Sequence, residues 1–73
     1  SDTPVRVGIV VPADTATDTQ IARELDALGV QLPDAAIISV RNGARVRLDN
    51  GGTAYWDESA RHIITEQPVE AGA

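Results

Sequence analysis

The sequence contains no cysteine and a single histidine. Without thiols the chain forms no disulfide, holds no thiolate zinc site and has no cysteine nucleophile. Lysine, methionine and phenylalanine are also absent, and the aromatic residues are one tyrosine and one tryptophan. The uninterrupted apolar runs are short, such as Ile9-Val10-Val11. They fall far below the roughly 20 residues that cross a bilayer. We therefore expect no membrane segment.

A chain of 73 residues has room for one small domain with a thin hydrophobic core. We expect a single domain over residues 1–73, with fraying at residues 1–4 and 68–73. A core of this size leaves little space for an enclosed active-site cavity. The length thus favours a binding module over an enzyme, and no cofactor is expected.

The charge is acidic overall but unevenly distributed. Eleven carboxylates oppose six arginines, for a net charge of −5. Residues 35–48 carry Arg41, Arg45 and Arg47 and no acidic residue. A negative total disfavours broad binding to phosphates, whereas a local group of arginines fits a specific contact. The composition, rich in alanine, valine, aspartate and arginine, is typical of a bacterial or phage protein, for which we expect a cytoplasmic location.

Two elements are predicted in the first half of the chain. Val5–Val11 is rich in β-branched residues and ends at Pro12, which predicts a strand. Thr17-Asp18-Thr19-Gln20 has the spacing of a capping box and predicts the start of a helix. That helix has one apolar stripe and ends at Gly29, which suits a left-handed cap. The stripe consists of Ile21, Leu25 and Leu28.

Residues 36–48 and the segment after them predict an antiparallel meander. Strands at 36–41 and 44–48 flank Asn42-Gly43, and a three-residue loop there keeps the apolar residues on one face. Asn50-Gly51 predicts a two-residue turn to the next strand. That turn pairs Val46 with Tyr55 and Arg45 with Trp56, so that Tyr55 faces the helix and Trp56 faces away.

The chain after Trp56 has two interpretations. Asp57 is able to cap a short helix, but the β-branched residues of Arg61–Thr65 favour a last strand. The predicted fold is α+β with the order β-α-β-β-β: one helix on a mostly antiparallel twisted sheet, and an extra short C-terminal strand or helix. The predicted core is Val5, Val7, Ile9, Val11, Ile21, Leu25, Leu28, Val30, Leu32, Ile38, Val40, Val46, Leu48 and Tyr55, with Ile63 or Ile64.

The sheet face turned away from the helix is the predicted functional site. Arginine and tryptophan are enriched at binding hot spots, and a guanidinium stacks well on an indole. The predicted partner-binding residues are Arg41, Arg45, Arg47, Trp56 and Ile37, with Ser39 on the same face. The predicted function is a non-catalytic accessory module that binds a protein partner or a second copy of itself as a homodimer. The alternative is a nucleic-acid-binding domain that uses the same face.

Catalytic and metal-binding patterns are weak. Ser59, His62 and Asp57 imitate a nucleophile–base–carboxylate set, but they are local in sequence and no oxyanion element accompanies them. Asp49-Asn50-Gly51-Gly52 is oxygen-rich, yet its spacing is that of a turn and not of a calcium loop. We expect no catalytic residue and no metal.

Overall fold

The computed structural model describes residues 13–68, which form two helices followed by three strands. The sheet is antiparallel with the order β1-β2-β3, and the small α+β class is confirmed. The order β-α-β-β-β is not confirmed, because both helices precede the strands. The predicted strand Val5–Val11 and the predicted fraying at 1–4 and 68–73, apart from Pro68, lie outside the described residues. The elements are α1 (Thr15–Ala27), α2 (Asp34–Arg41), β1 (Val46–Arg47), β2 (Thr53–Asp57) and β3 (His62–Glu66).

Helix α1 begins slightly earlier than the capping box predicts. The backbone N–H of Thr17 donates to Oδ1 of Asp14 at 3.1 Å, so Asp14 is the N-cap and Thr17 lies buried in the first turn. That hydrogen bond lowers the pKa of Asp14. The predicted end is confirmed: Gly29 has φ +84°, and the N–H of Val30 donates to the Leu25 carbonyl at 2.9 Å, as in a Schellman motif.

The predicted strand at 36–41 is wrong, because this segment is part of helix α2. Ile37 and Val40 have helical spacing and both are buried, so packing outweighs the strand preference of β-branched residues. Gly43, at φ +112°, ends the helix, and the N–H of Ala44 donates to the Ser39 carbonyl at 2.9 Å. Asn42-Gly43 is thus a helix terminus and not a hairpin loop.

The β1–β2 turn has three residues, Asp49, Asn50 and Gly51, instead of the predicted two. The N–H of Leu48 donates to the Gly52 carbonyl at 2.8 Å, and the N–H of Gly51 donates to the Leu48 carbonyl at 3.0 Å. Val46 therefore pairs with Ala54 and not with Tyr55. Since side chains alternate along a strand, this one-residue shift turns Trp56 towards the helices and Tyr55 away from them.

The predicted last strand is confirmed as β3, one residue later than expected, in place of the short helix. Asp57 pairs with His62, and Tyr55 pairs with Ile64. Oδ1 of Asp57 accepts hydrogen bonds from the N–H groups of Ser59 and Ala60 at 3.0 and 3.3 Å. Asp57 thus stabilises a turn, in the way short acidic side chains commonly do.

The core lies between the helices and one face of the sheet. It consists of Ile21, Leu25, Ile37, Val40, Leu48, Ala54 and Trp56. Four of these are predicted core residues, whereas the predictions for Leu28 and Ile38 are wrong, since they are 44% and 38% exposed. Ile38 is outside because the segment is helical, and Trp56 is inside because the strand register differs by one residue.

Candidate functional site

The sheet has one face that no helix of residues 13–68 covers. Alternation along β2 turns Ala54 and Trp56 into the core and leaves Tyr55 on the opposite face. The pairings of β2 place residues from the neighbouring strands beside Tyr55. We call this surface the arginine face and define it by Arg45, Arg47, Tyr55 and Ile64.

Arg45 makes two side-chain contacts on this face. Its guanidinium carbon lies 4.4 Å from the centroid of the Tyr55 ring, and its Nη1 donates to Oε1 of Glu66 at 2.7 Å. Both members of this ion pair are about half exposed, at 52% and 51%, so the pair adds little to stability. The two contacts instead leave the Arg45 cation stacked on an aromatic ring and accessible to solvent.

Arg47 adds a second cation to the same face. It is exposed, lies opposite Thr53 at the sheet edge, and belongs to the shortest strand. Within residues 13–68 no carboxylate oxygen lies within 4 Å of its guanidinium. A bidentate contact with a carboxylate from another molecule is therefore open to it.

The other predicted site residues lie elsewhere, so the predicted common face is wrong as a set. Trp56 is 7% exposed and belongs to the core. Ile37 is buried in α2. Arg41, also in α2, donates from Nε to Oδ1 of Asp18 at 2.6 Å and ties the helices together. The structure brings together Arg45 and Arg47 of the predicted set, and their aromatic neighbour is Tyr55.

Tyr55 is the site residue that the sequence prediction missed. The signal was the turn: with Gly51 in the left-handed conformation (φ +89°), a three-residue loop places Tyr55 beside Arg45. Such loops, with glycine at the last position, are common in hairpins. The three-residue loop that the sequence predicts at Asn42-Gly43 is instead found at Asp49–Gly51.

A polar network anchors the β2–β3 turn to α1. Arg61 donates from Nη2 to Oγ1 of Thr17 at 2.8 Å and from Nη1 to Oε2 of Glu58 at 2.7 Å. Its guanidinium lies 5.2 Å from the Trp56 ring. The Trp56 Nε1–H, and after it Arg61, lower the pKa of Glu58. Every polar partner here is a neighbour in the fold, which indicates a structural role.

Glu24 makes a second link between α1 and the sheet. It accepts hydrogen bonds from the N–H of Ile63 at 2.8 Å and from Nε2 of Gln20 at 2.7 Å, and it lies 3.3 Å from Nδ1 of His62. Partial burial alone would raise the pKa of Glu24, but the hydrogen bonds from Ile63, Gln20 and His62 outweigh it and lower that pKa. Glu24 thus covers part of the β3 edge and satisfies a backbone donor there.

The hydrogen bonds leave Ser59, His62 and Asp57 without the arrangement of a catalytic set. His62 contacts Glu24, and the Asp57 carboxylate is bonded to backbone N–H groups. Among residues 13–68 no hydrogen bond joins Ser59 to His62.

Two further features of the described residues bear on function. No group of three or more histidine, aspartate or glutamate side chains in this part of the chain is arranged to hold a metal ion. Neither helix has the length and hydropathy needed to cross a membrane. Comparison of the chain with known protein families, curated proteins and solved structures finds no match.

Proposed function

We propose that this chain is a non-catalytic module that binds a protein partner through the arginine face. One observation carries the proposal: Arg45, stacked on Tyr55 and braced by Glu66, lies beside Arg47 on a face that no described element covers. Arginine and tyrosine are enriched among the residues that dominate binding energy. An arginine already held in place loses less conformational freedom when it binds.

The chemistry of this face indicates the kind of partner. The half-buried side chains of Tyr55 and Ile64 form its apolar centre, and the guanidinium of Arg47 lies towards one edge. A partner that places an apolar side chain on Tyr55 and a carboxylate beside Arg47 fits both features. The expected ligand class is therefore a protein surface that presents an apolar side chain next to a single carboxylate.

A protein partner accounts for the charges better than nucleic acid does. The net charge of −5 opposes a polyanion, and the indole of Trp56 is not available for stacking on bases. The exposed residues of α2 are Asp34, Ala35, Ile38 and Ser39. They include no arginine, and the first of them is acidic. A helix with this surface lacks the cations that position a recognition helix on phosphates.

A charge reversal at Arg47 tests the proposal, with Arg23→Glu as the matched control. Both arginines are exposed and the charge changes equally, but Arg23 lies on α1. The immobilised full chain is used to capture proteins from a lysate of the source cells, and a captured protein is then purified and titrated calorimetrically. We expect Arg47→Glu to weaken binding at least about tenfold, since loss of a hot-spot side chain costs about 2 kcal/mol or more and about 1.4 kcal/mol is a factor of ten. Equal affinities for the Arg47→Glu and Arg23→Glu chains would contradict the proposal.

Two further measurements separate the alternatives. Sedimentation equilibrium of the parent chain shows whether it dimerises; a dimer that Arg47→Glu dissociates and Arg23→Glu does not identifies a second copy as the partner. Fluorescence anisotropy with a labelled single-stranded oligonucleotide is measured at low and high salt. Salt-sensitive binding that is lost only in Arg47→Glu assigns the face to nucleic acid and overturns the proposal.

A further inference from the structure

A cavity of about 410 Å³ lies between helices α1 and α2, and none of the residues that line it belongs to the arginine face. Its walls include Ile38, which is 38% exposed, and Asp34, which lies one turn earlier on α2. Residues four positions apart on a helix are neighbours on one side of it. This wall therefore presents an apolar side chain next to a carboxylate. We call it the α2 patch and define it by Asp34 and Ile38.

The charge of the α2 patch comes from Asp34. The other carboxylate that lines the cavity, that of Asp18, is paired with Arg41 at 2.6 Å. Within residues 13–68 no cationic nitrogen lies within 4 Å of the Asp34 carboxylate. The α2 patch thus offers one apolar side chain and one carboxylate that the described part of the chain leaves without a cation.

This combination is the one expected of the ligand of the arginine face. On that face Tyr55 and Ile64 form the apolar centre, and Arg47 supplies a cation. Arg47 and Tyr55 are diagonal neighbours on antiparallel strands, a separation of about 7–8 Å. The Cβ atoms of Asp34 and Ile38, four residues apart on a helix, are about 5–6 Å apart, and the long arginine side chain covers the difference. The two surfaces therefore match in charge and in spacing.

We infer, on the basis of the proposed function, that the partner of the arginine face is a second copy of this chain, which contributes its α2 patch. Charge excludes the symmetric arrangements. Two arginine faces placed together would oppose Arg45 and Arg47 with the same cations of the other copy, and two α2 patches would oppose Asp34 with itself. Like charges across an interface are unfavourable. The complementary contact therefore joins Arg47 of one copy to Asp34 of the next, with Ile38 packed on Tyr55.

This contact is heterologous, because the arginine face and the α2 patch share no residue. Each copy binds one neighbour through the arginine face and another neighbour through the α2 patch. Association therefore proceeds head to tail: it produces a ring if the rotation between copies closes and an open chain if it does not.

An exchange of charge between the two surfaces tests the inference. Sedimentation equilibrium is measured at chain concentrations up to about 1 mM, which detects dissociation constants up to about that value. The salt concentration is about 0.15 M, at which charges more than roughly 8 Å apart are largely screened. We expect Arg47→Glu and Asp34→Arg each to weaken self-association at least about tenfold, because each creates a like-charge contact. The double variant Arg47→Glu/Asp34→Arg should associate within about threefold of the parent, because opposite charges face each other again.

Asp26→Arg is the matched control for Asp34→Arg. Asp26 is exposed near the C-terminal end of α1 and does not line this cavity, so its reversal should leave self-association at least as strong as in the parent. The emission of the buried Trp56 shows whether each variant is folded. If Asp34→Arg does not fold, Asp34→Asn takes its place, and the loss of the charge alone should weaken self-association about threefold or more.

Three results would overturn the inference. The first is a parent chain that stays monomeric at the highest concentration. The second is self-association that the substitution of Arg47 or of Asp34 leaves at the parent's strength. The third is a folded double variant that associates as weakly as the single variants, which would show that Arg47 and Asp34 do not face each other. The proposed function fails separately, when Arg47→Glu and Arg23→Glu bind a captured protein equally well; a monomeric parent, or an unaffected Asp34 variant, leaves it standing.

Discussion

At the scale of single residues, Gly52 shows how close packing decides residue type. It is buried between strands, and a Cβ built there lies 2.5 Å from the carbonyl oxygen of Glu66. At Gly29 a Cβ meets nothing within 4 Å, but φ is +84°. The two glycines are thus required for different reasons: the approach of another strand at Gly52, and a left-handed backbone at Gly29.

Alanine substitution should separate these two reasons. We expect Gly52→Ala to lower the free energy of unfolding by about 2 kcal/mol or more, because a backbone carbonyl must move. Gly29→Ala should cost only about 1 kcal/mol, the usual penalty of the left-handed conformation. Urea denaturation measures both values. Equal costs would show that β3 is not so close to Gly52.

Glu24 provides a second residue-scale prediction, in the form of a pH dependence. Its pKa in the folded chain is below the usual 4.5, so its ionised form stabilises the fold; this contribution is complete above that usual value and is lost as the pH falls through the lowered one. We expect Glu24→Gln to be less stable by about 1 kcal/mol at pH 7. The difference from the parent should shrink below about pH 4.5.

Asp49→Asn is the control for the Glu24 series. Asp49 is exposed on the β1–β2 turn, where asparagine is equally suited, and its substitution should change stability by no more than about 0.5 kcal/mol. Thermal or urea unfolding between pH 3 and 8 gives the comparison. If the free energies of unfolding of the parent and Glu24→Gln differ by the same amount at every pH in this range, the assigned hydrogen bonds are wrong.

At the scale of elements, the structure of helix α2 differs from the strand that the sequence predicts. Residues 36–41 are rich in β-branched side chains, which favour a strand, yet Ile37 and Val40 also have helical spacing. A short apolar segment permits both patterns, and only packing against α1 and β2 decides between them. Helix α1 was predictable because its stripe and its Gly29 cap are local signals.

The alternative structures of this segment bury different isoleucines, which makes them testable. In the helix Ile37 is 4% exposed and Ile38 is 38% exposed, whereas the predicted strand buries Ile38. We expect Ile37→Ala to cost about 2–4 kcal/mol, the range for a buried isoleucine, and Ile38→Ala to cost about 1 kcal/mol or less. If urea denaturation shows a larger loss of stability for Ile38→Ala than for Ile37→Ala, the segment is a strand and not a helix.

The candidate site shows how far a local error extends. Arginines at 45 and 47 on one sheet face were predictable from alternation alone. The aromatic residue beside Arg45 depends on pairing between strands, which the turn length sets. Because the turn is one residue longer than predicted, Tyr55 and not Trp56 lies beside Arg45. Arg41 and Ile37 are not on this face, because the segment 36–41 is helical and not a strand.

At the scale of the whole molecule, the ion pair between Arg41 and Asp18 joins the two helices. These side chains are 12% and 23% exposed, so solvent screens the pair less than it screens Arg45–Glu66. A double-mutant cycle with Arg41→Gln and Asp18→Asn should give a coupling energy of about 1 kcal/mol or more. The matched cycle with Arg45→Gln and Glu66→Gln should give about 0.5 kcal/mol or less. Equal couplings would contradict the difference in burial.

The alternation of β2 has a practical consequence for experiments in solution. The chain's single indole is sealed in the interior, while its single phenol lies one position earlier along the backbone and points the opposite way. Indole emission therefore reports whether the molecule is folded, and the NMR signals of the phenol ring report what touches its outer surface. Two adjacent residues thus act as separate intrinsic probes of folding and of complex formation.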